Sequence, residues 1–174
     1  MKAFVLLLAL ICFTAFRCSS AKELHVGDNA PDFALLNQDG EMVTLDDFKG
    51  QKVALYFYPK DDTPGCSEQA CSLRDDFAAL TEAGITILGL SGGSVKDKQK
   101  FIAKKGLPFT LLIATKQTFK DYGVNSGWLW CWPLRLPQRW TFLINEHGII
   151  VGIIKKVDTK HHAQQILDEF NAIK

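Results

Sequence analysis

Residues 52–80 have the sequence KVALYFYPKDDTPGCSEQACSLRDDFAAL, and this stretch decides the fold. Its opening segment, 52–58, is a nearly continuous run of apolar, aromatic and β-branched side chains, which is typical of a strand covered on both faces. The run ends at Pro59. From 66 to 83 the apolar positions recur at helical spacing, at Ala70, Leu73, Phe77 and Leu80. The stretch therefore predicts a buried strand, a polar turn and an amphipathic helix, with Cys66 in the first turn of that helix.

The rest of the chain predicts the elements around this unit. Two short apolar runs, 32–36 and 41–44, flank an Asp-Gly turn and predict an N-terminal β-hairpin. Later segments predict two strands (85–90 and 109–113), a helix (95–105), a second hairpin (139–145 with 149–154) and a C-terminal helix (160–173). We therefore expect an α/β fold: a central mixed sheet flanked by helices, with the first hairpin as an extension.

The length and the net charge of the chain limit the classes of protein to which it can belong. A chain of 174 residues is long enough for one domain with a buried core. Its net charge is only +1, with 22% charged residues. Binding to nucleic acid through phosphate contacts requires an excess of Lys and Arg on one face. The composition therefore argues against a nucleic-acid-binding protein.

The first 21 residues differ in character from the rest. Lys2 precedes an apolar run over 3–16, which is shorter than the roughly 20 residues needed to span a bilayer. Small residues up to Ala21 fit a signal-peptide cleavage site. We expect a leader over 1–21, a domain over 22–174, export to the periplasm or the exterior, and no stable membrane insertion. A retained membrane anchor, a lipid-modified Cys18 and a plastid-targeting leader are the alternatives.

Cysteine usage points to redox chemistry or metal binding. Removal of the leader would leave three of the five cysteines: Cys66, Cys71 and Cys131. Three in about 150 residues are too few for a domain held together by disulfides. A buried cysteine that only fills space is the alternative for Cys66. Its position favours reactivity, because the unpaired amides of a helix N-terminus stabilise a thiolate, the nucleophilic form of cysteine.

The spacing of Cys66 and Cys71 constrains what they can do together. In an intact helix, residues five apart have Cα atoms about 8 to 9 Å apart, whereas a disulfide needs about 4.4 to 6.8 Å. A bridge would therefore require the helix to unwind locally. Zinc sites usually have closer cysteines and a second pair of ligands, a pattern that the four histidines do not supply: His25, His147, His161 and His162. We expect His161 and His162 to lie on the solvated start of the last helix, and we expect no metal site.

One segment of the chain closely resembles a known active site. Residues 56–75, YFYPKDDTPGCSEQACSLRD, resemble the active-site segment of the peroxiredoxins, specifically the atypical two-cysteine branch called peroxiredoxin Q or bacterioferritin comigratory protein. Three further segments resemble the same family: 27–33, 106–109 and 139–145. The resemblance therefore extends over nearly the whole chain after the leader.

The resemblance implies a thioredoxin-like fold and a thiol peroxidase that reduces hydrogen peroxide and organic hydroperoxides in antioxidant defence. It implies that Cys66 is the peroxidatic cysteine and Cys71 the resolving one, that Pro59 shields the thiolate, and that Thr63 holds the peroxide oxygen. Arg139 would stabilise the thiolate and the transition state, as a fixed cation with several donors can. A thioredoxin-like dithiol protein would recycle the enzyme, with no metal, haem or flavin. We expect a monomer or weak dimer.

Two other functions are considered. A thiol–disulfide oxidoreductase of the same fold generally uses the shorter Cys-x-x-Cys motif, which this chain lacks. A non-enzymatic binding protein could use the Trp-rich loop, 128–132, because exposed aromatic side chains mark interaction surfaces. Cys131 lies in that loop, and we expect no role for it as an alternative to Cys71.

Overall fold

The buried run that begins at Lys52 forms the central strand of a five-stranded sheet in the computed structural model, which describes residues 23–124 and 136–173. The strands are β1 Ala34–Leu36, β2 Met42–Thr44, β3 Lys52–Phe57, β4 Ile85–Ser91, β5 Thr110–Ile113, β6 Thr141–Ile144 and β7 Ile150–Ile154. The helices are α1 Pro64–Asp75, α2 Phe77–Glu82, α3 Val95–Lys105, α4 Lys116–Asp121 and α5 His162–Ala172, with a 3-10 helix at Leu45–Phe48.

The sheet is mixed, as the sequence predicts. Its strand order is β5-β4-β3-β6-β7. Strands β3, β4 and β5 run parallel, whereas β6 runs antiparallel to both β3 and β7. The predicted N-terminal hairpin forms a separate two-stranded sheet from β1 and β2. The prediction of a thioredoxin-like α/β fold with a hairpin extension is confirmed.

Both faces of the sheet are covered, which explains why polar and apolar side chains do not alternate along β3. Val53, Leu55 and Phe57 point into one apolar cluster, with the N-terminal hairpin and α4. Ala54 and Tyr56 point into the other, with α1, α2, α3 and α5. Side chains alternate along a strand, so a strand with both faces covered is apolar throughout. The face that carries Tyr56 is the one that holds Cys66.

Two helix predictions need correction. The continuous helix expected over 66–83 is two helices, α1 and α2, separated at Asp76, whose backbone (φ −103°, ψ 17°) is not helical. The regular apolar spacing continues across this break and conceals it. Helix α4 was not predicted, because six residues are too short to show a helical period. Its signal is a cap: Thr115 accepts a hydrogen bond from the Thr118 amide.

Some predictions fall outside the described residues: the leader over 1–21, Cys131 and the Trp-rich loop over 128–132. Within the described ranges, no helix combines the length and apolar character that a membrane span would require.

Candidate active site

Cys66 lies at the point where the chain passes from β3 into α1. Thr63 is the N-cap of α1, and Pro64, Gly65 and Cys66 are its first three residues. The first intrahelical bond runs from the Ser67 amide to the Thr63 carbonyl, at 2.8 Å. Amides earlier in the first turn have no intrahelical acceptor, and they form the positive end of the helix dipole. The Cys66 side chain is 1% exposed, so its thiol is held at this positive end and shielded from bulk water.

Arg139 brings a fixed positive charge to the Cys66 sulfur. Its Nη2 donates to Cys66 Sγ at 3.2 Å, and its Nη1 donates to the Gly65 carbonyl at 3.4 Å. The sheet explains this contact between residues 73 positions apart. Because β6 is antiparallel to β3, with Thr141 opposite Tyr56, the chain just before β6 lies beside the end of β3. Arg139 precedes Thr141 by two residues and so points to the same face.

Thr63 and Pro59 both lie in the loop over 59–63 that leads from β3 to α1. The Thr63 hydroxyl donates to the Lys60 carbonyl at 3.1 Å, which closes the loop on itself. Pro59 is partly buried and directly follows Tyr58, whose ring is buried beside the sheet. The loop therefore delivers Cys66 to a defined place in the structure.

Cys71 lies on the second turn of α1 and is half-buried. Both Cys66 and Cys71 are free thiols, and α1 is helical from one to the other. Helical geometry places their Cα atoms about 8 to 9 Å apart, beyond the range of a disulfide. The structure is therefore that of the reduced, fully helical state.

Gln69 and His162 form a buried network behind Arg139, and sequence reasoning missed both. The Gln69 side-chain oxygen accepts a hydrogen bond from Arg139 Nη1, and its Nε2 contacts His162 Nδ1 at 3.0 Å. His162 Nε2 contacts Thr141 Oγ1 at 3.0 Å. The prediction that His162 is solvated was wrong, because α5 docks this residue against α1 and it is fully buried. His161 is exposed, as predicted.

The environment of His162 keeps it neutral. Burial, together with the positive charge of Arg139, lowers the pKa of His162 from 6.5 to about 3. Gln69 could have been noticed from its position, since it lies one turn after Cys66 on the same side of α1. No sequence signal marks His162 as buried.

A buried ion pair anchors the loop before Cys66. Lys98 Nζ, fully buried on α3, contacts the two Asp61 oxygens at 3.0 and 2.8 Å and the Gly92 carbonyl at 2.9 Å. It also donates to Ser91 Oγ. Asp61 accepts a further bond, at 2.6 Å, from the Tyr58 hydroxyl. Burial lowers the pKa of Lys98, and Asp61 opposes this shift. The pair joins the loop to α3 and β4.

The arrangement has the parts of a nucleophilic thiol site. The sulfur lies at a helix N-terminus, in contact with a guanidinium that is itself held by Gln69. Among residues 23–124 and 136–173, no three His, Cys, Asp or Glu side chains are grouped to hold a metal ion. The chemistry that these residues can perform on their own is nucleophilic attack by the Cys66 sulfur on an electrophilic atom.

Known proteins are similar to this chain in sequence and in fold. Residues 26–153 match the AhpC/TSA family. The chain is 44% identical over 150 residues to a putative peroxiredoxin bcp of Coxiella burnetii, covering 83% of this chain and 97% of that protein. It is 36% identical over 137 residues to a chloroplastic peroxiredoxin Q of Suaeda salsa, covering 78% of this chain and 62% of that protein.

A solved structure agrees with these relatives. A cysteine mutant of Xylella fastidiosa PrxQ superposes with a TM-score of 0.78 at 29% sequence identity, covering 87% of this chain and 98% of that chain. The similarity to named peroxiredoxins thus favours the peroxidase over the disulfide oxidoreductase and the binding protein. The chain therefore belongs to the AhpC/TSA family and, within it, to the Bcp and Q type of peroxiredoxin, a thiol-dependent peroxidase.

Proposed function

We propose that Cys66 is the peroxidatic thiolate of this enzyme and Cys71 its resolving thiol. The Cys66 sulfur attacks the terminal oxygen of a hydroperoxide, an S–O bond forms and the O–O bond breaks. The leaving oxygen takes up one proton and departs as water or an alcohol. Cys66 is left as a sulfenic acid, oxidised by two electrons.

One observation carries this assignment: the donation from Arg139 Nη2 to Cys66 Sγ at 3.2 Å. This contact places a permanent positive charge beside the attacking sulfur. As the O–O bond breaks, negative charge moves from sulfur to the leaving oxygen, and a guanidinium with several donors can follow that charge. The first-turn amides of α1 add positive potential at the same place. We assign Thr63 the role of orienting the peroxide through its hydroxyl and Pro59 that of shielding the thiolate.

Resolution then requires a change in α1. The helix must unwind around Cys66 so that the Cys71 thiol can attack the sulfenic acid, release water and form a disulfide. A thioredoxin-like dithiol protein then reduces the bridge by thiol–disulfide exchange and restores both thiols. The half-buried position of Cys71 supports this step, because Cys71 is more accessible to an incoming thiolate than the fully buried Cys66. Hydrogen peroxide and small organic hydroperoxides are the proposed substrates.

Mass-spectrometric mapping of the cysteines after one equivalent of hydrogen peroxide tests the assignment. The reduced wild type should contain a disulfide between Cys66 and Cys71. Cys71→Ser should retain a sulfenic acid on Cys66, and Cys66→Ser should leave Cys71 reduced. A wild type in which Cys66 remains reduced while another cysteine is oxidised would overturn the proposal.

The compartment is a separate proposal. We propose that residues 1–21 are a leader that exports the domain over 22–174, with a plastid leader as the alternative. N-terminal sequencing of the protein recovered from its native compartment tests this, since a start at Lys22 supports cleavage after Ala21, and a start at Met1 contradicts it.

A further inference from the structure

A chain of hydrogen bonds runs from the active-site arginine through Gln69 on α1 and His162 on α5 to Thr141 on β6. Arginine has donors and no acceptor. The Gln69 atom that Arg139 Nη1 contacts must therefore be the carboxamide oxygen. The other end of that carboxamide, the NH2 group, then faces His162 Nδ1 at 3.0 Å. Since an NH2 group donates, Nδ1 has to accept, and a nitrogen that accepts carries no proton.

The position of the His162 ring proton follows in the same way. A neutral imidazole has one proton, and with Nδ1 unprotonated the proton lies on Nε2. Nε2–H then donates to Thr141 Oγ1 at 3.0 Å. The direction of donation is therefore uniform, from Arg139 through Gln69 and His162 to Thr141.

We propose that His162 is a positioning residue of the peroxidase: its Nδ1 holds the Gln69 carboxamide in the one orientation that offers an oxygen to Arg139, and so fixes the guanidinium against Cys66. This inference rests on the proposed roles of Cys66 and Arg139. It adds a residue on α5, 96 positions after Cys66 in the sequence, to the machinery that supports the reaction.

The packing around His162 leaves its ring little freedom. The Ala163 amide, next in the chain, donates to Ser72 Oγ on α1 at 3.3 Å. A second contact joins the Thr159 hydroxyl to the Glu68 carboxylate on α1. The His162 ring also packs edge-on against Tyr56, with centroids 6.1 Å apart. The ring is therefore a fixed acceptor built into the α1–α5 contact.

A protonated His162 could not accept the hydrogen bond from the Gln69 carboxamide. Protonation of Nδ1 would place two donors face to face at the Gln69 amide and would bring a second cation near Arg139. Burial and the charge of Arg139 both lower the pKa of His162, to about 3, so the acceptor form is the one present at neutral pH. The local environment thus agrees with the state that the hydrogen bonds require.

Variants of His162 test the proposal through the peroxide rate constant. Asparagine places a side-chain oxygen near the position of Nδ1, so His162→Asn should keep the rate constant for hydrogen peroxide within about threefold of wild type. Leucine removes the acceptor, and His162→Leu should lower that rate constant by about tenfold to a hundredfold, because displacements of about 1 Å at a reacting centre cost that much. The matched control is His161→Leu, on the exposed neighbour, which should leave the rate constant unchanged.

Nitrogen-15 NMR of the wild-type imidazoles provides a test that needs no variant to fold. The proposal requires His162 to be the Nε2–H tautomer at neutral pH, and an Nδ1–H tautomer or an imidazolium would overturn it. A folded His162→Leu protein with a rate constant within twofold of wild type would also overturn it. If Arg139→Met slows the reaction but His162→Leu does not, only the His162 inference fails; if Arg139→Met has no effect, the proposed role of Arg139 itself fails.

Discussion

Replacing Lys98 with methionine is expected to destabilise the protein by about 3 to 5 kcal/mol, the usual cost of removing one partner from a buried ion pair. Lys98 is fully buried and the Asp61 side chain is only 11% exposed. Without Lys98, the Asp61 carboxylate keeps the hydrogen bond from Tyr58 but loses the cation that contacts both of its oxygens. Because stabilities of whole domains are about 5 to 15 kcal/mol, this loss is a large fraction of the total.

Urea unfolding measures the loss. With a slope of about 2 kcal/mol per molar urea, the midpoint of Lys98→Met should fall by about 1.5 to 2.5 M. The double variant that adds Asp61→Asn removes both charges and should recover part of the loss, which a double-mutant cycle would report as coupling. The matched control is Lys104→Met, which breaks the exposed pair with Asp62, at 2.5 Å. It should leave the midpoint unchanged, because exposed pairs contribute little.

Two results would contradict this account of the Lys98–Asp61 pair. If Lys98→Met shifts the midpoint no more than Lys104→Met does, the buried pair does not anchor the loop over 59–63. If the double variant is as unstable as the sum of the two single variants, the two charges are not coupled, and the cost of each has another origin.

Three further predictions follow from the site and its packing. Arg139→Met should lower the rate constant for hydrogen peroxide by about 10² to 10³ with an unchanged circular dichroism spectrum, since one electrostatic donor contributes that much; a loss under tenfold would contradict the geometry. The pKa of His162 is about 3 in the folded protein and about 6.5 in the unfolded chain. Between pH 6.5 and pH 3 only the unfolded chain takes up this proton, so the wild type loses stability as the pH falls through that range. In urea titrations, the free energy of unfolding of the wild type minus that of His162→Asn should therefore fall by about 2 kcal/mol from pH 7 to pH 5. A difference that does not change with pH would contradict this. Gly89→Ala would place a Cβ 2.6 Å from Leu111 Cδ2 and from the Tyr56 hydroxyl oxygen, and should cost about 1 to 3 kcal/mol in thermal unfolding; an unchanged melting temperature would show that the strand adjusts freely.

The strands and longer helices could be predicted because their apolar patterns are local. Strand β3 was predicted from one apolar run, and α3 was predicted with the bounds that the structure gives it. The break at Asp76 was not predictable in this way, since it changes the backbone dihedral angles of one residue and leaves the apolar spacing intact. Short elements such as α4 depend on capping more than on periodicity.

The candidate site combines residues that local sequence patterns can indicate with residues that only tertiary contacts bring there. Cys66 is marked locally, by a strand, a polar turn and a helix start. Arg139 is 73 residues away and joins the site through sheet register, so only the family resemblance indicated it in the sequence. Gln69 shares a helix face with Cys66 and could have been proposed. His162 depends on the docking of α5 onto α1, a tertiary contact, and the expectation of a solvated helix start was therefore wrong.

Rapid mixing of the reduced protein with hydrogen peroxide, followed by alkylation and mass spectrometry of each cysteine, tests the central assignment most directly. In the Cys71→Ser variant, Cys66 should be oxidised to the sulfenic acid about 10³-fold or more faster than an ordinary free thiol, consistent with the accelerations that enzymes produce. In the wild type the same step should be followed by a bridge between Cys66 and Cys71. Oxidation of Cys66 at the rate of an ordinary thiol would contradict its assignment as the peroxidatic cysteine.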